Sequence, residues 1–582
     1  MRKFTLTLFC LYFVAIHSFF ILLLPVFTIA SVNPDLVRKS LKEFETLATN
    51  YYFSEDERKD DPAIVNNQNL YDVIHNNISL SFDIKERILI GNVKMTALNL
   101  SDTLNKIYIN FLDNMNVNSV KLNDADINYN RKNNYIIIDS KNQLSKSKEF
   151  TVEISYQGKP LNEGFDSFSF KFIEGNICIY NLSEPNYAPN WWPCKDILTD
   201  KFLMDMIMTV PDDLTAVSNG ILHSESSSQD GLKTFHWKST YPITTYLVSI
   251  AVSKYDKWTE TFYNKDSSKS MPVEYYSFPD YTEKAKIDWG VTLDMLDFYS
   301  EIFGEYPFIN EKYGMAMFGW VGGAMEHQTI SSMGYTLTTG DRRYENVVAH
   351  EIVHQWYGDA VSPATWKDIW LNEGFASYGE ALWEEHLNGS KALFSYMRKE
   401  DYGGFSGTLY NPEDNLFSTT VYQKGSWVLH MLRGTVGDST FFNILKTYYE
   451  DFKYKSATTD DFIKVCEKVS GLDLKYFFDQ WVYKGTGRPE FEYSWKADPF
   501  DGQSSSNAYM IRVNINQIQK DYDLYKSNLR INVKTENGNE EFVVFNDKKN
   551  QVFTTTVNSK PVSVTLDEKG WLLKKVKQVD YK

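Results

Sequence analysis

The 582 residues exceed one typical domain several times over, so two to four domains are expected. Hydrophobic residues make up 43% and charged residues 23%, fractions that exclude a disordered, collagenous or low-complexity chain. Acids outnumber bases 76 to 60, a balance that argues against a nucleic-acid binder, and four cysteines are too few for a disulfide scaffold.

Arg2 and Lys3 precede an uncharged, mostly apolar stretch from Phe4 to Ala30. A short basic head ahead of such a run directs export, and Thr28-Ile29-Ala30 supplies small residues for cleavage. The run is also long enough to span a bilayer. Residues 1–30 therefore read as a signal peptide or a membrane anchor, residues 31–65 as a leader. The rest is expected outside the cytoplasm: periplasmic, extracellular or held to a membrane through residues 4–30. Beyond the leader, Cys466 shares a helical apolar stripe with Phe462, Val465 and Val469 and reads as core. Spacing leaves a Cys178–Cys194 bridge open.

From 66 to 256 the pattern has period two. Ile78, Leu80, Phe82 and Ile84, and then Phe150, Val152, Ile154 and Tyr156, alternate with polar residues, the signature of a β-sandwich-like domain. From 257 to 488 helical spacing dominates. Ile287, Val291, Met295, Phe298 and Ile302 predict one helix stopped by Gly304, and Thr458-Thr459-Asp460-Asp461 opens another. From 489 to 575 strands return: Tyr509, Ile511, Val513 and Ile515 alternate, and Asn537-Gly538 marks a hairpin. Residues 501–507 are a serine-rich patch. The fold class is α+β and multidomain, with β domains flanking a mainly helical one.

The helical region contains NVVAHEIVHQWYGD, residues 346–359. His350 and His354, four apart, project from one helix face and can share one metal ion. Glu351 is placed to act on a water at that metal. Glu373, in WLNEGFASYGE (370–380), lies eighteen residues beyond His354, and two antiparallel helices would bring it to the pair. Two His and one Glu leave the fourth zinc position for water, as in a catalytic site. Ser377, one turn after Glu373, is expected to orient a zinc-binding histidine.

These segments resemble the aminopeptidase N family of zinc aminopeptidases, which includes the leukotriene hydrolase. HExxHxWxGD and WLNEGFA are both complete. The family's GxMEN strand is matched by Gly323-Ala324-Met325-Glu326-His327, with His327 where Asn is usual. Tyr422-Gln423-Lys424-Gly425 matches the YxKG helix start. Glu184 in NLSEP (181–185) matches the family's Gln-x-Glu, with Leu182 in place of the Gln. The resemblance implies one zinc per chain, a thermolysin-like catalytic domain, and removal of the N-terminal residue from peptides by a metal-activated water. In that reading His350, His354 and Glu373 hold the metal, and Glu351 is the general base. Tyr422 stabilises the oxyanion. Glu326, with Glu184 and the Gly323–Met325 segment, receives the substrate's free amine.

Two alternatives accompany this reading: an inactive zincin-fold binding protein, and an epoxide hydrolase. The leukotriene-processing relative has a second Tyr five residues before the YxKG tyrosine. Phe417 stands there in this chain, which favours peptidase action alone. Many relatives add a large helical domain over the site. The length leads us to expect a short form without one, with a more open site.

Overall fold

A computed structural model describes residues 61–581, apart from 141–143, 414 and 500–507. The export segment and the serine-rich patch of residues 501–507 lie outside the described residues. Among the described residues, no helix is long and apolar enough to cross a membrane.

The first β-rich region is built on an eight-stranded sheet. Its strands are β1 (Tyr71–Asp83), β2 (Ile88–Asn99), β3 (Asn116–Leu122), β4 (Ala125–Asp126), β5 (Glu149–Gly158), β6 (Phe202–Pro211), β7 (Ile221–Ser227) and β8 (Leu232–Ile243). They lie side by side in the order β7-β8-β6-β1-β2-β5-β3-β4. Alternation decides the faces. Ile78, Leu80, Val152, Ile154, Met204 and Met206 are buried, and their polar neighbours in sequence face the other way. A four-stranded sheet (Thr215–Ser218, Ile250–Ser253, Asn176–Asn181, Phe168–Ile173) shares the apolar core.

A further sheet begins at Asp256. Its strands are β9 (Asp256–Tyr263), β10 (Ser270–Ser277), β11 (Tyr313–Phe318), β12 (Ala324–Met325) and β13 (Ser331–Gly334), ordered β9-β10-β11-β13-β12. Between β10 and β11 the expected single helix is two: α1 (Thr282–Asp288) and α2 (Thr292–Phe303). The break falls at Trp289-Gly290-Val291. The Trp289 ring turns inward to stack on Trp258 and Tyr275, and Gly290 is a poor helix former. Ile287 is consequently exposed on α1, whereas Gly304 ends α2 with φ +117°.

The helices that carry the histidine motif and its partners follow: α3 (Glu345–His354), α4 (Trp370–Asn388) and α5 (Ser390–Lys399), then a π-helical turn (Thr420–Lys424) leading into α6 (Gly425–Val436). A later helix, α7 (Thr459–Ser470), opens with a capping box between Thr458 and Asp461, and its Cys466 is core.

The last region contains a four-stranded sheet (Asn550–Val557, Tyr509–Gln517, Glu490–Pro499, Lys575–Gln578) and a three-stranded one (Gly538–Asn546, Ser527–Thr535, Pro561–Leu566). The hairpin turn is Glu536-Asn537, one residue earlier than expected, because Gly538 pairs with Thr535 as the first strand residue. Cys178 and Cys194 are both free and buried. Cys178 lies opposite Ser253 in the small sheet while the Cys194 backbone pairs with Asn110, so the two sit in different surroundings and form no bridge.

Cross-links between regions fix the site's surroundings. Lys201 Nζ donates to the Asp359 carbonyl (2.9 Å) and Tyr246 Oη to the Gly358 carbonyl (3.1 Å). On the other side, Lys424 Nζ donates to the Gly485 carbonyl (2.6 Å), and burial lowers its pKa to about 7. His430 Nε2 donates to the Gly570 carbonyl (3.1 Å).

Candidate active site

The α3–α4 pair is close because glycine permits it. A Cβ on Gly379 would lie 2.4 Å from Val353 Cγ2, so α4 can approach α3 only without a side chain there. At this crossing His350 Nε2 is 3.3 Å and His354 Nε2 is 3.5 Å from the same atom, Glu373 Oε2. Tetrahedral zinc with bonds of about 2.0–2.2 Å needs ligand atoms about 3.3 Å apart, so these three side chains fit the ion.

The Nδ1 atoms are spoken for. His350 Nδ1 donates to Glu380 Oε1 (2.9 Å), and His354 Nδ1 to the Tyr357 carbonyl (3.1 Å). Both bonds place the proton on Nδ1 and leave Nε2 as the ligand nitrogen. Burial disfavours charge on His350, yet its bonds to Glu373 and Glu380 hold its pKa up at about 9. Burial also opposes ionisation of Glu373, but His354 and the bond from His350 hold it well below the usual carboxylate range.

Ser377 does not take the orienting role expected of it. Its Oγ is buried without a hydrogen-bond partner, and Glu380, one turn further along α4, reaches His350 instead. Glu380 is itself held: Tyr396 of α5 donates to its Oε2 at 2.6 Å.

Glu351 lies between the two histidines in sequence and is buried. Burial pushes its carboxyl up, the histidines oppose this, and Glu326 and Glu373 reinforce it. Its Oε2 has no hydrogen-bond partner within the protein. A carboxylate with a free oxygen and a raised pKa is suited to taking and returning a proton near neutrality.

The other end of the site is acidic. Carboxylate oxygens of Glu184, Glu326 and Glu373 lie within 4.8 Å of one another, all buried. Glu184 Oε1 and Glu326 Oε1 have no hydrogen-bond partner within the protein. Burial, then the neighbouring Glu326 and Glu373, pushes the Glu184 carboxyl up. Like charges this close keep one carboxyl protonated unless a cation comes between them. Gly323 accepts a bond from Gly334 (3.1 Å) and Ala324 is half-buried in β12. Met325 is only 2% exposed and part of the core, so its side chain contributes packing rather than a substrate contact. His327 bonds Ser332 Oγ through Nδ1 (2.8 Å), and burial lowers its pKa to about 3, so it is neutral.

Tyr422 stands in the π-helical turn with its ring 5.9 Å from that of His350 and nearly parallel to it, at 11°. The turn is drawn in by a second glycine contact. A Cβ on Gly374 would lie 2.9 Å from Gly425 Cα, and one on Gly425 would lie 2.8 Å from Gly374 Cα. Phe417 packs edge-on against Phe165 at 5.3 Å.

Residues 288–481 match the peptidase family M1 domain, and residues 69–247 match the peptidase M1 N-terminal domain. The chain belongs to peptidase family M1. Among M1 relatives it is 26% identical over 382 residues to human glutamyl aminopeptidase (Homo sapiens), a match that takes in 60% of this chain and 39% of that protein. It is 25% identical to leukotriene A-4 hydrolase from Xenopus laevis over 73% of each chain. It thus spans well under half the length of the glutamyl aminopeptidases it matches. Many solved folds are similar, two of which illustrate the range. Legionella pneumophila aminopeptidase A, in complex with aspartic acid, superposes with TM-score 0.76 at 18% identity, over 88% of this chain and 60% of that one. The M1 zinc metallopeptidase from Deinococcus radiodurans gives TM-score 0.62 at 24% identity, over 71% of this chain and 93% of that one.

Three residues of this M1 site carry no mark in the motif reading. Glu380 and Tyr396 brace His350, as described. Gln355, the residue after His354, accepts from Thr329 N (2.8 Å) and donates to the Glu326 carbonyl (3.4 Å), tying Glu326 to the helix that carries both histidines. Glu380 lies seven residues from Glu373 on one helix face, a signal that heptad spacing makes visible. Tyr396 and Gln355 act through tertiary contacts that spacing does not encode.

Proposed function

We propose that this protein is a zinc aminopeptidase that removes the first residue from peptides with a free N-terminus. The observation that carries this is the joining of two sites on Glu373: one oxygen faces both histidine Nε2 atoms, and its carboxylate also lies within 4.8 Å of Glu184 and Glu326. A metal ligand set shared with an unpaired acidic pocket positions an α-ammonium group beside the metal.

The roles follow from the side chains. A zinc ion held by His350, His354 and Glu373 would supply Lewis acidity toward the scissile carbonyl and acidify water. Glu184 and Glu326 pair with the substrate α-ammonium, whose pKa of about 8 keeps it largely charged at neutral pH. That pairing fixes the first peptide bond over Glu351. Glu351 takes the proton of the attacking water and returns it to the leaving amine. Tyr422 donates its hydroxyl to the developing oxyanion. Phe417 brings no hydroxyl to the pocket, which supports peptide over epoxide chemistry. Export, through the basic head and apolar run of residues 1–30, is part of the same proposal.

Aminoacyl-coumarin hydrolysis tests the reading. Turnover should vanish with a chelator, return with added zinc, and fall by orders of magnitude when the amine is acetylated. Equal cleavage of acetylated and free substrates would overturn it.

A further inference from the structure

Three aromatic side chains from separate loops meet at one point. Phe165 packs on Trp320, centroids 5.5 Å apart, and edge-on against Phe417 at 5.3 Å. Phe417 is 6% exposed, while Phe165 and Trp320 are half-buried and keep part of their surface open. None of the three belongs to a helix or strand, and each stands on a loop tied to a residue of the active site.

Phe417 lies five residues before Tyr422, and Tyr422 N donates to the Ser418 carbonyl (3.2 Å), so one turn of chain separates them. Trp320 lies six residues before Glu326, in the loop between β11 and β12. Its ring folds back over Gly322, where a Cβ would lie 2.7 Å from Trp320 Cζ2. Phe165 comes from the first β-rich region. Gly164, at φ +54°, leaves no room for a Cβ beside the ring of Tyr187, three residues after Glu184. Leu182 N donates to the Ser167 carbonyl (3.3 Å), and Asn190 Nδ2 donates to Glu163 Oε2 (3.1 Å) and Ser167 Oγ (3.0 Å), which pins both ends of the Phe165 loop to the segment carrying Glu184. Short stretches of chain thus join the cluster to Glu184, Glu326 and Tyr422 at once.

We propose that Phe165, Trp320 and Phe417 wall the space that receives the side chain of the substrate's first residue, and that the enzyme takes peptides beginning with an aromatic or large aliphatic residue. This rests on the aminopeptidase reading and names its substrate class. The side chain of a first residue leaves the same carbon as the α-amine. An amine held by Glu184 and Glu326 therefore places that side chain against the segments next to those carboxylates. Rings with open surface there offer apolar area and edge-to-face contacts to a phenyl or indole group. An acidic first residue meets the opposite conditions. The charges that act most strongly on Glu184 are Glu326, Glu373, Glu351 and Asp359, all carboxylates, so a second anion on the substrate enters an anionic surround.

The test compares kcat/KM of the full chain, at saturating zinc, on the coumarin amides of phenylalanine, alanine and glutamate. Wild type should favour phenylalanine over alanine by about 10²-fold, the order expected for burying a phenyl group, and glutamate should fall below alanine by about tenfold or more. Trp320→Ala and Phe165→Ala should each cut the phenylalanine-to-alanine ratio about 10- to 30-fold, because the smaller substrate side chain gains little from the wall. Phe165→Leu, which keeps apolar bulk, should recover most of that ratio. A merely structural role would lower both rates together and leave the ratio at its wild-type value, which overturns the proposal. A wild type that hydrolyses the three substrates alike, or prefers glutamate, overturns it as well. Either result leaves the aminopeptidase reading standing. Turnover of none of the three would sink that reading and this proposal with it.

Discussion

The metal-holding corner is made by two helices within residues 345–388, whereas the amine end draws Glu184 from the first β-rich region and Glu326 from the end of β12. The corner is stiff by local means: helix spacing, a glycine-permitted crossing, and Nδ1 bonds that fix each ring. The amine end depends on how separate parts of the chain are docked, with Gln355 as one of the ties. Metal binding should therefore tolerate changes in the docking, while substrate selection should not.

Substitutions at the two ends test that division. The largest effect is expected for Glu351→Gln, which removes the proton carrier without touching a ligand. kcat should drop by about 10³-fold with zinc content unchanged; a loss of zinc would show that the base is also structural. Glu326→Ala comes next. Loss of a charge-assisted contact of about 1.5–3 kcal/mol should lower kcat/KM roughly 10- to 100-fold for free peptides and leave slow cleavage of acetylated ones unchanged. Glu380→Gln breaks the corner rather than the amine end. Zinc affinity, measured by chelator competition, should weaken by about 10- to 100-fold, with KM little altered once zinc is saturating. Tyr396→Phe should act in the same direction and by less, because Glu380 keeps its bond to His350. Ser377→Ala is the smallest: its hydroxyl is buried without a partner, so stability should stay within about 0.5 kcal/mol or rise, read by thermal melting.

The same contrast explains what could be read from sequence. His350, Glu351, His354 and Glu373 follow from local spacing, because helix geometry alone places them. The β-α-β order followed from the change in period from two to that of a helix and back. The break at Trp289 was not legible, since apolar spacing continues through it and only the stack on Trp258 turns the ring aside. Ser377 reads as the orienting group because it lies one turn after Glu373 in sequence. In the fold, the longer side chain of Glu380 is the one that spans the gap between α4 and α3.

The contact between Gly374 and Gly425 ties two motifs together across 51 positions of sequence. Each would press a side chain into the other's backbone, so a substitution at one cannot be repaired by shrinking its partner, which is already as small as a residue can be. The pair is mutually dependent: neither position accepts a side chain while the other's backbone stays where it is. A chain that kept HExxH and its glutamate yet carried a larger residue at either glycine would still bind metal while its tyrosine stood displaced.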